Sequence, residues 1–236
     1  VRVVSLVPSA TETLVELGVE PIACTRFCEQ PGIATVGGTK DPRVGEIVAL
    51  EPDLVVVNDE ENRFEDAAGL LDAGLPVHSM SPRSVASVGP AVRALADVVE
   101  VAVPSPFGVA EWDAWLAAQP VPRPERACVL VWRRPWMSMA ADTYGSSLLE
   151  RLGLVSVLAV DPARYPEVSL EEIAAYAPAV VLLPSEPYPF KDRHASEVAA
   201  ALPAARVRLV DGRDLFWWGV RTPTALDRLR ATLGEQ

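Results

Sequence analysis

Short runs of β-branched and aliphatic residues alternate with stretches of helical periodicity along the whole chain, and this alternation constrains the fold more than any other feature. Residues 2–7, 21–25, 53–57 and 76–80 read as strands, separated by helical patterns over 9–17, 44–50 and 62–73. The plan repeats later, with strands at 127–131, 179–183 and 207–210 and helices at 146–152, 169–176, 192–202 and 222–233. Two helix starts carry capping-box spacing, Ser9 with Glu12 and Ser169 with Glu172, and Gly18 and Gly153 stand where helices should stop. Continuous apolar strands alternating with helices predict parallel sheets covered on both faces, an α/β fold.

The repetition divides the chain into two lobes. Glu46-Ile-Val-Ala-Leu-Glu-Pro-Asp-Leu-Val55 aligns without gaps on Glu172-Ile-Ala-Ala-Tyr-Ala-Pro-Ala-Val-Val181, and the same shift brings Glu60 onto Glu186. Residues 1–82 and 124–236 are therefore expected to form Rossmann-like α/β lobes with parallel sheets. Residues 83–123 should form a helical connector, broken at Pro104 and Pro106 and leaving through the stiff proline-rich stretch 120–124.

Bulk chemistry excludes several function classes. A net charge of −11 repels phosphate backbones and anionic headgroups, so neither nucleic acid nor a membrane surface is an expected partner. No apolar run reaches the roughly 18 residues needed to span a bilayer, so no membrane insertion is expected. The first residues have no leader character, which points to the cytoplasm if the native chain starts at residue 1, or to an extracytoplasmic or periplasmic site if a signal was removed. Three cysteines, Cys24, Cys28 and Cys128, make no disulfide framework and lean toward a reducing compartment.

In a parallel α/β lobe, ligands gather at loops beyond the carboxyl ends of the strands. Those loops hold Trp132, Trp136, Trp217 and Trp218, with Tyr188, Phe190 and Phe216, a set suited to a large flat or amphipathic ligand or to packing beneath long loops. Arg133, Arg134 and Arg221 could face ligand carboxylates or phosphate, or form surface ion pairs. The polar run Asn58-Asp-Glu-Glu-Asn-Arg63, with Glu60 and Arg63, could bond ligand amides, hold a cation or simply begin a helix. A metal reading would draw on Cys28, Glu60, Glu186 and His194, although zinc usually takes three or four clustered ligands. His78 is expected to be a structural strand residue and His194 a helix-start residue on the surface. No nucleophile elbow, phosphate loop or dinucleotide fingerprint is present, and no enzyme is expected.

Arg2-Val-Val-Ser-Leu-Val-Pro-Ser-Ala-Thr-Glu12, Gly37-Gly-Thr-Lys40, Ile47-Val-Ala-Leu-Glu-Pro-Asp-Leu-Val55 and Tyr165-Pro-Glu-Val-Ser-Leu-Glu171 together resemble the cobalamin- and iron-chelate-binding receptors of ABC importers. The resemblance implies two Rossmann-like lobes on one backbone helix, with a corrinoid or related metal chelate held non-covalently in the cleft between them. By position it implies ligand contacts near Phe27, Thr39, Asn58, Trp132, Trp136, Tyr165 and the 214–221 loop. Aromatic character is kept at Phe27, Trp132, Trp136 and Tyr165 and lost at Thr39 and Asn58. It also implies an ABC permease that docks on one surface glutamate per lobe. Glu171 fits, whereas Gly45 stands at the other position with Glu46 beside it. Asn58-Asp-Glu-Glu-Asn-Arg63 and Pro184-Ser-Glu-Pro-Tyr-Pro-Phe190 look like a leaderless, intracellular subgroup. The alternative is an intracellular metal-binding protein, metal chaperone or enzyme on the same fold, using Cys28 and the acidic loops.

Overall fold

Strand β1 (Val3–Ser5) is buried on both faces, as its unbroken apolar run requires, and helix α1 (Pro8–Glu16) follows at once. The first unit continues through β2 (Ala23–Cys24), β3 (Ala34–Thr35), α2 (Val44–Ala49), β4 (Leu54–Val57), α3 (Phe64–Asp72), β5 (Val77–Ser79), α4 (Val85–Val98) and α5 (Val109–Ala118). A computed structural model describes residues 1–120 and 123–234. The second unit is built from β6 (Glu125–Trp132), β7 (Met137–Ser138), α6 (Tyr144–Glu150), β8 (Leu154–Ser156), α7 (Leu170–Tyr176), β9 (Val180–Pro184), α8 (Asp192–Ala201), β10 (Arg206–Val210), α9 (Gly212–Phe216) and α10 (Thr222–Gly234). The chain divides into two compact units. One comprises residues 1–82, 86–117 and 218–220, and the other 83–85, 118–217 and 221–236.

The first sheet has the order β3-β2-β1-β4-β5, and every pairing in it is parallel. Strand order reverses at β1, whose two neighbours are β2 and β4, so a crevice opens beyond the carboxyl ends of β1 and β4. Val4, Leu6, Val55 and Val57 form its core with Ile47 and Leu70 from α2 and α3. In the second sheet β6 pairs in parallel with β9 on one side and β8 on the other, and β9 pairs with β10. The carboxyl half of β6 turns back into β7, an antiparallel addition to the expected parallel sheet. Cys128, Leu130, Val181 and Leu183 pack there against Ile173, Phe190 and Val198.

The two capping-box motifs have opposite fates. At α7, Ser169 accepts from the Glu172 N–H and Glu172 accepts from the Ser169 N–H, a complete box. At α1 the helix starts two residues earlier than a Ser9 cap requires, on Pro8, because proline is preorganised for the first helical position. Val7 becomes the N-cap, and Ser9 is drawn inside the helix with its Oγ buried and without a hydrogen-bond partner among the described residues. The expected Ser9 cap is thus corrected. Gly18 does end α1 as anticipated: at φ +79° it reverses the chain so that the Val19 N–H bonds the Leu14 carbonyl.

Helix α4 accommodates Pro90 through its surroundings. Proline has no N–H to offer the carbonyl four residues earlier, and that carbonyl, of Ala86, instead accepts from Trp112 Nε1 at 3.2 Å. Gly89 lets the indole approach, since a Cβ there would lie 2.5 Å from the Trp112 ring. Trp112 stacks between Phe107 and Trp115, with centroids 5.1 and 4.6 Å away. The break between α4 and α5 spans the Pro104 and Pro106 positions, and the expected proline exit falls partly outside the described residues.

Candidate ligand-binding site

In the second unit, strand order reverses at β6, between β8 and β9, and the loops that leave β6 and β9 carry the aromatic residues. Trp132 closes β6 and keeps 42% of its surface exposed, with its ring edge-on to Tyr188 at 5.6 Å and 76°. Beneath it, Tyr188 contacts Phe190 at 4.8 Å, and Phe190 lies parallel to Trp136 at 6.1 Å. His194 meets Tyr188 and Phe190 edge-on, while its Nδ1 accepts from the Lys191 N–H at 3.0 Å. Burial, with Arg193 and Arg133 adding to it, holds this imidazole below its usual pKa. The expected surface role of His194 is corrected: it does serve the helix start, through the Lys191 N–H, but at 3% exposure it is buried against Tyr188 and Phe190.

Arg133 grips Glu197 through two hydrogen bonds of 3.1 and 2.9 Å, and its guanidinium carbon lies 5.5 Å from the Trp136 ring. Arg134 sits in the same β6–β7 turn at φ +71° and is exposed. Tyr165 is 38% exposed, on the loop that pairs with β7 through the Met137–Glu167 bridge.

The β9 and β10 loops are locked to each other. Trp217 Nε1 donates to Glu186 at 2.6 Å, and the guanidinium of Arg221 lies 5.1 Å from the Trp217 ring. Asp214, at 7% side-chain exposure, accepts from both Arg221 and Arg228. Gly212 permits the closeness, because a Cβ there would stand 2.5–2.7 Å from Glu186 atoms. Trp218 differs from its neighbour: it is only 4% exposed and belongs to the first unit, where Gly219 and Val220 lie against Thr13 of α1.

The first unit presents a polar loop face. Phe27 is 49% exposed under the Arg26 guanidinium, and Arg26 forks onto Asp41 at 3.1 and 3.0 Å. That ion pair holds the Asp41 carboxyl below its usual pKa. The Gly37–Gly38 turn makes room for the pair, since a Cβ on Gly38 would meet both partners. Asn58, the expected ligand contact after β4, is 4% exposed. Its Oδ1 accepts from the Glu60 and Glu61 N–H groups, and its Nδ2 donates to the Met80 carbonyl. Asn62, in the run expected to bond ligand amides, hold a cation or begin a helix, instead ties this loop to the Leu6 and Thr39 carbonyls. The Asn58…Asn62 spacing after a buried strand was the available signal, because loops cut off from water must satisfy their own backbone. Lys40 donates to the Glu60 carbonyl, Arg63 pairs with Asp66, and Thr39 is half-buried.

Among the described residues no group of three or more His, Cys, Asp or Glu side chains could hold a metal ion. Cys28 is buried in the first unit beside Thr11 and Thr25, and the Nδ1 of His194 is engaged within the second. Of the expected docking residues, Glu171 is exposed in the first turn of α7, and Glu46 is exposed on α2 but pairs with Arg43 at 2.6 Å. No helix among the described residues is long and apolar enough to cross a membrane.

Each of the two α/β units thus carries switch-point loops with exposed rings and tethered charges. The chain belongs to the periplasmic binding protein family, whose model matches residues 3–206. It is 25% identical over 247 aligned positions to a vitamin B12-binding protein of Vibrio parahaemolyticus, covering 97% of this chain and 86% of that one. The fold is similar to that of the periplasmic vitamin B12 binding protein of Vibrio cholerae, with TM-score 0.78 and 19% identity over 98% of this chain and 96% of that chain. A periplasmic heme binding protein from Pseudomonas aeruginosa matches with TM-score 0.79 and 20% identity, covering 100% and 94%. The family and these neighbours are binding proteins, not enzymes.

Proposed function

We propose that this protein captures a corrinoid or another planar metal chelate such as heme, and hands it on without chemical change. The observation that carries the reading is Trp132: a large, exposed indole at a topological switch point, propped edge-on by Tyr188 on a partly buried aromatic layer. An exposed indole offers its face to a flat ligand, and a ring already propped before binding loses little entropy when it is covered. Phe27, Tyr165 and Trp217 are further rings on the same classes of loop. Vitamin B12 and heme, named for the relatives above, are both large conjugated macrocycles that suit such rings. Glu60, Arg63, Glu186 and Arg221 are engaged within the protein and serve to hold these loops. Asn58 and Thr39 shape the loop beyond β4.

Delivery to an ABC permease would use exposed carboxylates, with Glu171 as the leading contact and Glu46 as its weaker counterpart, since Arg43 already shares its charge. We take the family's periplasmic compartment over the cytoplasmic one. Titration of the protein with cyanocobalamin, cobinamide and heme, followed by tryptophan fluorescence, tests the reading. Saturable quenching by at least one, weakened in Trp132→Ala, is expected. An unchanged spectrum with all three would overturn it.

A further inference from the structure

We infer that Arg134 selects the ligand by charge, favouring a planar macrocycle with free carboxylates at its rim over one rimmed with amides. This inference rests on the reading of Trp132 as a macrocycle-binding ring and goes on to name the ligand class. Three arginines on the loops of the second unit could face an anionic ligand, and the structure commits two of them to internal acids. Arg133 is forked onto Glu197, and Arg221 is paired with Asp214. Arg134 is exposed and makes no ion pair or hydrogen bond among the described residues. The chain carries 32 acidic side chains against 21 lysines and arginines, so carboxylates are in surplus, yet none among the described residues pairs with this guanidinium.

Backbone geometry keeps that free charge beside the exposed indole. Strand β6 ends at Trp132 and β7 begins at Met137, and these two residues pair across an antiparallel turn. Arg134 is the second residue of that turn. Two residues of chain span at most about 7 Å, so the Cα atoms of Arg134 and Trp132 lie within that distance. At φ +71° Arg134 is left-handed, a conformation that crowds a Cβ and that glycine or asparagine takes more readily. A turn that only reversed the chain would be better served by glycine there. A long cationic side chain kept at a strained position, exposed and unpaired, marks a place where the side chain itself is used. Trp132 offers a π face to a flat ring system, and a guanidinium within this reach can fork onto a carboxylate at the ring's edge. Heme carries two propionate carboxylates. The corrin rim carries amides, neutral acceptors that a guanidinium holds less strongly.

The test titrates the full chain, as wild type, Arg134→Gln and Arg134→Gly, with heme, heme dimethyl ester and dicyanocobinamide at low and high salt, followed by tryptophan fluorescence. Expected is tighter binding of heme than of its ester by wild type, with that preference lost in both variants. Each variant should bind heme about three- to tenfold more weakly and the ester as well as wild type does. Added salt should weaken heme binding to wild type more than to either variant. Glycine suits the left-handed backbone, so Arg134→Gly should keep the wild-type circular dichroism spectrum, which separates loss of the charge from loss of the fold. No preference for heme over its ester in wild type, the same preference in the variants, or binding of dicyanocobinamide in place of heme would each overturn the role of Arg134 and leave macrocycle capture standing. Binding of none of the three would overturn capture, and this selectivity with it.

Discussion

The Trp217 indole donates its Nε1–H to the Glu186 carboxylate at 2.6 Å, so one ring on the β10 loop is held by one acid on the β9 loop. Glu186→Ala removes a charge-assisted hydrogen bond in a half-buried site and should cost about 1.5 kcal/mol in urea unfolding. Gly212→Ala should cost about 1–3 kcal/mol, because its Cβ would enter the space of the Glu186 backbone. A Gly212→Ala protein as stable as wild type would show that the loops are not locked in this way.

The two serine motifs make a paired prediction. Ser169→Ala destroys a complete capping box and should destabilise the protein by about 1 kcal/mol. Ser9→Ala removes a buried hydroxyl that has no partner among the described residues and should be neutral or stabilising. Thermal or denaturant unfolding of both variants checks the contrast, and equal losses would contradict it.

These motifs also show what could be read from sequence and what could not. The alternation of strands and helices is decided locally by apolar periodicity, so β4 and β9 and their preceding helices α2 and α7 were legible within a residue or two. Ser9 and Ser169 have the same spacing, yet Pro8 shifts one helix start by two residues and removes its cap. The short strands β3, β7 and β8 escaped notice because two or three residues carry no periodicity of their own; only their partners define them. Likewise, Trp217 and Trp218 are adjacent and alike in sequence, and only packing makes one half-buried beside Glu186 and the other buried.

Helix α4 tolerates Pro90 because Trp112 supplies the missing donor. Gly89→Ala would push against the indole and should cost about 1–3 kcal/mol through overpacking. Trp112→Phe leaves the Ala86 carbonyl without that donor and loses ring area, so a loss of about 1–3 kcal/mol is expected there too. Unfolding midpoints by circular dichroism would measure both, and an unaffected Gly89→Ala protein would argue against this packing.

Acid should weaken the aromatic layer. His194 and His78 both have pKa values lowered by burial, so the folded state binds fewer protons than the unfolded chain. Their contribution is complete above the unfolded value of about 6.5 and is lost as pH falls below it. His194→Asn, which keeps an acceptor for the Lys191 N–H, should lose less stability than wild type between about pH 7.5 and about pH 5.5. Identical pH profiles would show that His194 does not titrate as described.

The central claim is that the exposed ring propped on Tyr188 is a binding surface, and an equilibrium titration of wild type and Trp132→Ala with cyanocobalamin, cobinamide and heme tests it most directly. The account predicts saturable binding of at least one macrocycle, weakened in the variant by about 1–3 kcal/mol, with circular dichroism of the unliganded protein unchanged. Equal affinity in the two proteins, or binding of none of the three, would contradict it.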